Sequence, residues 1–297
     1  MTNTQPFILA VGADGKFAGL VLPELAKRGA KVRGLVRHAE HKDAVLQHGA
    51  TEVAIGDLTD AASLNSALQG VNAVFYIAPA FIPNESAVGV SMVQAAQAAG
   101  VQRFVFSSVI HPVIGALVNH SAKAPVEEAL IESDMEFALL QPAMFFQNFA
   151  ESWLKVVQSG SYAEPWSAQT RFSRVDYRDV AEVAAIALTE DRLNFGTYEL
   201  CAQGQHNRHE VAALMSEVLG KPIAAGDVDP NKAAGAPGPD GEPSPMQKMF
   251  AWYHHHGLLG NALTLRAILG REPRTLRAYF EELAAQPQPA AQPQPAA

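Results

Sequence analysis

A single cysteine, Cys201, stands in 297 residues, so no internal disulfide can form and nothing in the chain demands an oxidising compartment. Dense stripes of Lys and Arg are missing as well. With 22 basic against 30 acidic residues the formal charge is −8, which argues against a nucleic-acid partner presenting a run of phosphates. Nor is there a long apolar run. The N-terminal MTNTQPFILAVG lacks a basic leader region, its apolar stretch 7–11 is too short for a signal peptide, and no later stretch reaches membrane-spanning length without polar residues. These absences lead us to expect a cytoplasmic protein with no nucleic-acid and no membrane partner, acting on a small molecule, with monomer and homodimer both left open.

What is present is a large stock of core-forming side chains, 48% of the chain, arranged in a regular rhythm. FILAV is followed by a helical pattern over 18–28, then KVRGLV, a short helical stretch and TEVAIG. A helix near 61–68, the strand AVFYIA, a helix over 88–99, the strand RFVFSS, a helix around 126–131 and EFALLQP complete the series. Alternating strands and helices of this kind make a parallel sheet, and the nearly continuous Val, Ile, Leu and Phe of the strands require helices on both faces. The pattern therefore predicts an α/β fold, a Rossmann-type doubly wound parallel sheet with a smaller, mostly helical C-terminal substrate lobe. Residues 1–152 form the dinucleotide-binding domain, joined by late strands in 171–202 (TRFSRV, GTYELC); residues 153–170 and 203–285 form the substrate lobe. The Gly- and Pro-rich stretch 233–245 reads as a loop or flap, and the repetitive 286–297 as a disordered tail. His254, His255 and His256 are consecutive, so on a helix they point in different directions and do not share a metal; no metal site is expected.

The strongest local motif is V-G-A-D-G-K-F-A-G, beginning at Val11, between the first strand and the first helix. Gly12 suits the tight turn, Gly15 lets backbone approach a pyrophosphate, and the helix N-terminus offers amide donors. Ala13, Lys16 and Phe17 complete this loop. Asp14 departs from the pattern, because a carboxylate beside a pyrophosphate is repelled unless it turns away to cap the helix. The second strand ends in G-L-V-R-H, with Arg37 where NAD-preferring proteins carry an acid. A guanidinium there favours a 2′-phosphate, so NADP(H) is the expected cofactor.

Beyond the loop and Arg37, the chain carries G-D-L at Gly56, F-V-F-S-S-V at Phe104, Q-P-A-M-F-F-Q-N at Gln141, V-D-Y-R-D-V-A-E-V-A at Val175 and L-G-R-E-P-R-T-L at Leu269. Over nearly its whole length it resembles the NmrA-like family of atypical short-chain dehydrogenases. The resemblance implies that Asp57 and Leu58 lie beside the adenine and Ala78 and Pro79 beside the ribose and diphosphate edge. It also implies that Ser107 lies under the nicotinamide, with Ala143, Met144 and Phe145 against its other side.

Lys123 is the residue expected to matter for chemistry. In conventional short-chain dehydrogenases a Tyr stands four positions before this Lys, which holds the nicotinamide ribose and lowers the Tyr pKa. Here the stretch is Asn119-His120-Ser121-Ala122-Lys123, and the usual acid is missing. Hydride delivery to a simple ketone needs such an acid. Delivery to a quinone or enone makes a phenolate-like anion whose conjugate acid has a pKa of about 10, so Lys123 or water suffices. His120 is a substitute acid candidate. The expected function is therefore an NADPH-dependent reductase of a flat apolar conjugated acceptor, with Phe146, Asn148, Tyr162, Trp166, Met249, Trp252 and Tyr253 binding the substrate together with Met144 and Phe145. A redox sensor that binds NADP(H) without turnover is the alternative; an epimerase or lyase would want a strong acid–base group that is not seen.

Overall fold

Strands with no polar alternation, such as AVFYI, are stable only where both faces are covered, and the computed structural model, which describes residues 6–79, 81–237 and 241–286, places them so. One sheet contains β1 (Phe7–Val11), β2 (Lys31–Val36), β3 (Glu52–Ile55), β4 (Ala73–Ile77), β5 (Arg103–Ser107), β6 (Glu136–Pro142) and β10 (Gly196–Leu200). Their order is β10-β6-β5-β4-β1-β2-β3, and all pairings are parallel. The order of connection reverses between β1 and β4. At that switch point the carboxyl ends of the strands open a crevice, the usual ligand position in such sheets.

Two apolar layers flank the sheet. On one side lie α1 (Val21–Lys27) and the almost wholly buried α8 (Tyr177–Thr189), backed by α12 (Leu263–Leu269). On the other lie α3 (Ala61–Leu68), α4 (Glu85–Ala98) and α6 (Ala124–Ile131). A third apolar cluster lies where α7 (Asn148–Ser159), α9 (Arg208–Leu219) and α13 (Leu276–Ala285) meet and the Trp153 and Phe280 rings stack at 5.5 Å.

The late strands divide between sheets. β10 joins the large sheet beside β6, whereas β9 (Phe172–Val175) does not, lying instead between β7 (Met144–Phe145) and β11 (Gln205–His206). The reason is geometric: β10 already fills the edge of β6, with Leu200 opposite Pro142. In the 233–245 stretch, the first residues end α10 (Pro230–Ala234) and Ser244 caps α11 (Pro245–His256) in a capping box with Gln247. Residues 238–240 of that stretch and 287–297 of the expected tail lie outside the described residues. His254, His255 and His256 form the exposed end of α11, and no cluster of three metal-ligating side chains occurs among the described residues.

Several of the sequence motifs turn out to hold distant segments of the chain together. Asp176 caps α8 and accepts from Gln147 Nε2 at 2.7 Å, while Gln147 Oε1 accepts from the Tyr177 amide at 2.9 Å. Fully buried Asp179 accepts from Arg271 Nη2 at 2.8 Å and from the Arg274 amide at 2.7 Å. V-D-Y-R-D and L-G-R-E-P-R are thus docking segments: each buried carboxylate collects donors from a distant stretch of chain.

Gly34, in the middle of β2, is held by close approach rather than by conformation. A Cβ there would lie 2.6 Å from Val45 Cγ1 and 2.9 Å from the Ala13 Cβ in the glycine loop. We expect Gly34→Ala to cost about 1–3 kcal/mol through overpacking, read as a lowered Tm. An unchanged Tm would mean that α2 (Lys42–Gln47), which carries Val45, yields without cost.

Candidate active site

The crevice holds three cavities in series. The first, of about 650 Å³, lies over the ends of β1 and β2 and is lined by Gly12, Asp14, Gly15, Arg37, Asp57 and Leu58 among others. Gly12 has φ +66°, which favours glycine, and the Gly15 amide donates to the Gly12 carbonyl at 2.8 Å. Asp14 does not cap the helix. Its carboxylate instead contacts His41 Nδ1, because the segment after β2 crosses beside the glycine loop. Ala13 is fully buried and donates its amide to the Leu35 carbonyl at 3.1 Å, so it shapes the loop from beneath rather than lining the cavity. The Asp57 carboxylate accepts from Thr59 Oγ1 at 2.7 Å and from the Thr59 amide at 2.8 Å. These bonds, with a smaller contribution from the Arg37 charge, hold its pKa below the usual value.

The second cavity, about 380 Å³, shares Gly12, Gly15, Ile77 and Pro79 with the first. Lys16, Phe17, Ala78, Lys123 and Phe145 also line it. Lys16 Nζ reaches Glu151 Oε1 at 2.8 Å, and the rings of Phe17 and Phe145 meet at 4.5 Å. Ser107 is fully buried and accepts from the Tyr177 hydroxyl at 2.9 Å; the serine that faces the cavity is its neighbour Ser108. Lys123 is buried, with Nζ 2.5 Å from Glu85 Oε1 and 3.0 Å from the Asn119 carbonyl oxygen. Glu85 was not among the residues expected from sequence. It lies 38 positions from Lys123, and no spacing rule joins the two.

The third cavity, about 390 Å³, shares Val109, Asn119 and Phe145 with the second. Ala143, Met144, Asn148, Tyr162, Trp166, Met249 and Tyr253 face it. Phe146 and Trp252 do not: Phe146 is buried against Tyr279 in the third apolar cluster, and Trp252 packs on His256. Among the lining residues that escaped sequence reading is one charged pair, the buried Arg174 and Glu164, 2.9 Å apart.

His120 differs from the expected imidazolium acid. It is buried, and the loss of hydration pushes its pKa down to about 4, so it is neutral at pH 7. Its Nδ1 lies 2.7 Å from the Ile110 carbonyl oxygen and must carry the proton, which leaves Nε2 to accept from the Tyr253 hydroxyl at 3.1 Å. Burial also raises the Tyr253 pKa to about 12. Neither group presents an acidic proton to the cavity.

The model of the NmrA-like family matches residues 4–282. This chain belongs to the NmrA-like family. Among its relatives, the NAD(P)H azoreductase of Xenophilus azovorans is 29% identical, over 94% of this chain and 98% of that protein. The triphenylmethane reductase of a Citrobacter species shares the fold with a TM-score of 0.82 at 21% identity, covering 95% of this chain and 100% of that one. The NADPH-dependent quinone oxidoreductase QOR2 of Escherichia coli, solved with NADPH, does so with a TM-score of 0.80 at 22% identity, over 93% and 99% of the two chains. In this NmrA-like protein Asn119 occupies the place four residues before Lys123, and its carbonyl, rather than a phenol, meets the lysine.

Proposed function

We propose that the protein is an NADPH-dependent reductase that passes hydride to a flat, apolar, conjugated acceptor such as a quinone or enone. The observation that carries this reading is the series of three cavities: an adenosine-sized chamber bearing Arg37, a middle chamber bearing Lys123, and a third walled by Met144, Phe145, Tyr162, Trp166 and Met249. The relatives named as an azoreductase, a quinone oxidoreductase and a triphenylmethane reductase support it. No helix among the described residues is long and apolar enough to cross a membrane.

NADPH supplies the hydride when bound. The protein's share is to hold and shield. The glycines of the 12–15 turn would let the diphosphate approach the backbone, the Arg37 guanidinium would take the 2′-phosphate, and Lys123 would donate to the nicotinamide ribose. Phe145, which lines both inner cavities, would wall the acceptor and shield it from water. Because Tyr253 and His120 offer no acidic proton, the product anion must be stable enough to form before it is protonated. A phenolate-like anion, with a conjugate-acid pKa of about 10, meets that condition, and the alkoxide of a simple ketone does not.

The test is NADPH oxidation followed by absorbance with quinones, enones and simple ketones in turn, and NADH as control. Turnover with a quinone or enone, and none with simple ketones, is expected. Tight NADPH binding with no turnover across the panel would sink the reductase reading in favour of an NADP(H) sensor.

A further inference from the structure

Lys123 has a partner that the missing tyrosine does not explain. Its ammonium, buried with the Glu85 carboxylate, has three N–H donors. One goes to Glu85 Oε1 at 2.5 Å and one to the Asn119 carbonyl at 3.0 Å, which leaves a single donor for whatever occupies the middle cavity. The carboxylate is itself placed with care. Glu85 begins α4, where the helix dipole favours a negative charge, and it follows a compact turn in which Phe81 and Asn84 take φ +62° and +57°. Its second oxygen accepts from the Phe81 amide at 3.1 Å. The same turn lends Pro79 to the first two cavities and Ile82, Pro83 and Asn84 to the first.

We infer that Glu85 is the positioning residue for Lys123: its carboxylate balances the buried ammonium, aligns the remaining N–H with the cofactor ribose, and ties the lysine to the turn that walls the cofactor trough. The lysine works here as half of a neutral pair. Its charge is spent on Glu85 and is not available to acidify a neighbouring phenol, so the absence of a tyrosine at position 119 and the presence of a glutamate at 85 belong to one arrangement. The other titratable groups facing the pair are Tyr76 on β4 and His120 on α5 (Val118–Ser121). Burial and the Glu85 charge raise the Tyr76 pKa, and burial lowers that of His120 to about 4, so both stay neutral across the working range.

The inference rests on the reading that this trough holds NADPH, and it is tested by NADPH affinity alone, measured by calorimetry with no acceptor present. Glu85→Gln keeps the shape and the acceptor for Phe81 but leaves the ammonium without a counter-charge, which disfavours the protonated lysine. NADPH binding should weaken about tenfold at pH 7, and its alkaline loss should set in at least about one pH unit earlier than in the wild type. Glu85→Asp, which keeps the charge, should recover most of the affinity and the wild-type pH dependence. In the Lys123→Met/Glu85→Gln double variant, binding should be weak and the pH dependence gone. A Glu85→Gln loss that stays constant from about pH 6 to about pH 9 would mean that Glu85 only holds the turn, and would overturn the inference, as would unchanged binding. A wild-type protein that binds NADPH but turns over no acceptor removes the reductase reading and leaves this one standing.

Discussion

Arg37→Ala should weaken NADPH by about a hundredfold and change NADH by little more than a factor of two. The size follows from the chemistry of the missing contact. A guanidinium on a phosphate makes charge-assisted hydrogen bonds of about 1.5–3 kcal/mol each, and two such bonds in fork geometry exceed any other single term in cofactor choice. Arg37 lies on the wall of the first cavity, exposed, with no carboxylate hydrogen-bonded to it among the described residues, so its full donor set is open to a ligand. Asp57, on the same wall, is spoken for by Thr59. The measurement is a pair of titrations at fixed ionic strength. Equal weakening of the two nucleotides would show that Arg37 serves the common part of the cofactor or only the fold, and the 2′-phosphate argument would fail.

Lys123→Met should be the most damaging single change near the site, through stability before chemistry. It leaves the Glu85 carboxylate buried with no counter-ion, and breaking a buried pair on one side costs about 3–5 kcal/mol. For a chain of this size that is a fall in Tm on the order of 10 °C. Lys123→Met/Glu85→Gln removes both charges, keeps an acceptor for the Phe81 amide, and should recover most of the lost stability while remaining poor in NADPH binding and turnover. If the single variant melts with the wild type, the pair is not held as the geometry has it. If the double variant turns over normally, Lys123 has no part in the reaction.

These two residues also mark how far the site was legible before the structure. Arg37 could be read from position alone, since it ends the second strand of a βαβ unit, where the acid of NAD-specific proteins belongs. Lys123 could be placed only through family resemblance, and its partner could not be found at all. Ser107 and Ser108 show the same limit on a smaller scale. Neighbours at the end of a strand point to opposite faces, so a shift of one residue separates the serine that faces the cavity from the one that binds Tyr177 beneath it. Phe146 and Trp252 were expected beside the substrate, and Tyr162 and Trp166 on the same grounds. An aromatic ring carries no mark of whether it will wall a cavity or fill a core.

Asp14, a departure from the glycine-loop pattern, and His120, the candidate substitute acid, each resolve through a contact that sequence spacing cannot express. Asp14 meets His41 from the loop after the next strand. His120 is neutral because it is buried, between the Ile110 carbonyl and the Tyr253 hydroxyl, the latter arriving from α11, 133 residues away.

The sequence by itself determined the alternation of strands and helices, the glycine turn, the basic end of the second strand and the lack of a tyrosine before Lys123. All of these are local, set by periodicities of two and 3.6 residues and by the identity of single side chains at fixed offsets. Tertiary structure alone decided the pairing of Lys123 with Glu85, the burial that keeps His120 neutral, the exclusion of β9 from the large sheet, and which aromatic rings face the third cavity. Each of those depends on which distant segments share a small volume from which water has been removed. There, burial and hydrogen-bond partners, rather than residue type, set charge state and role.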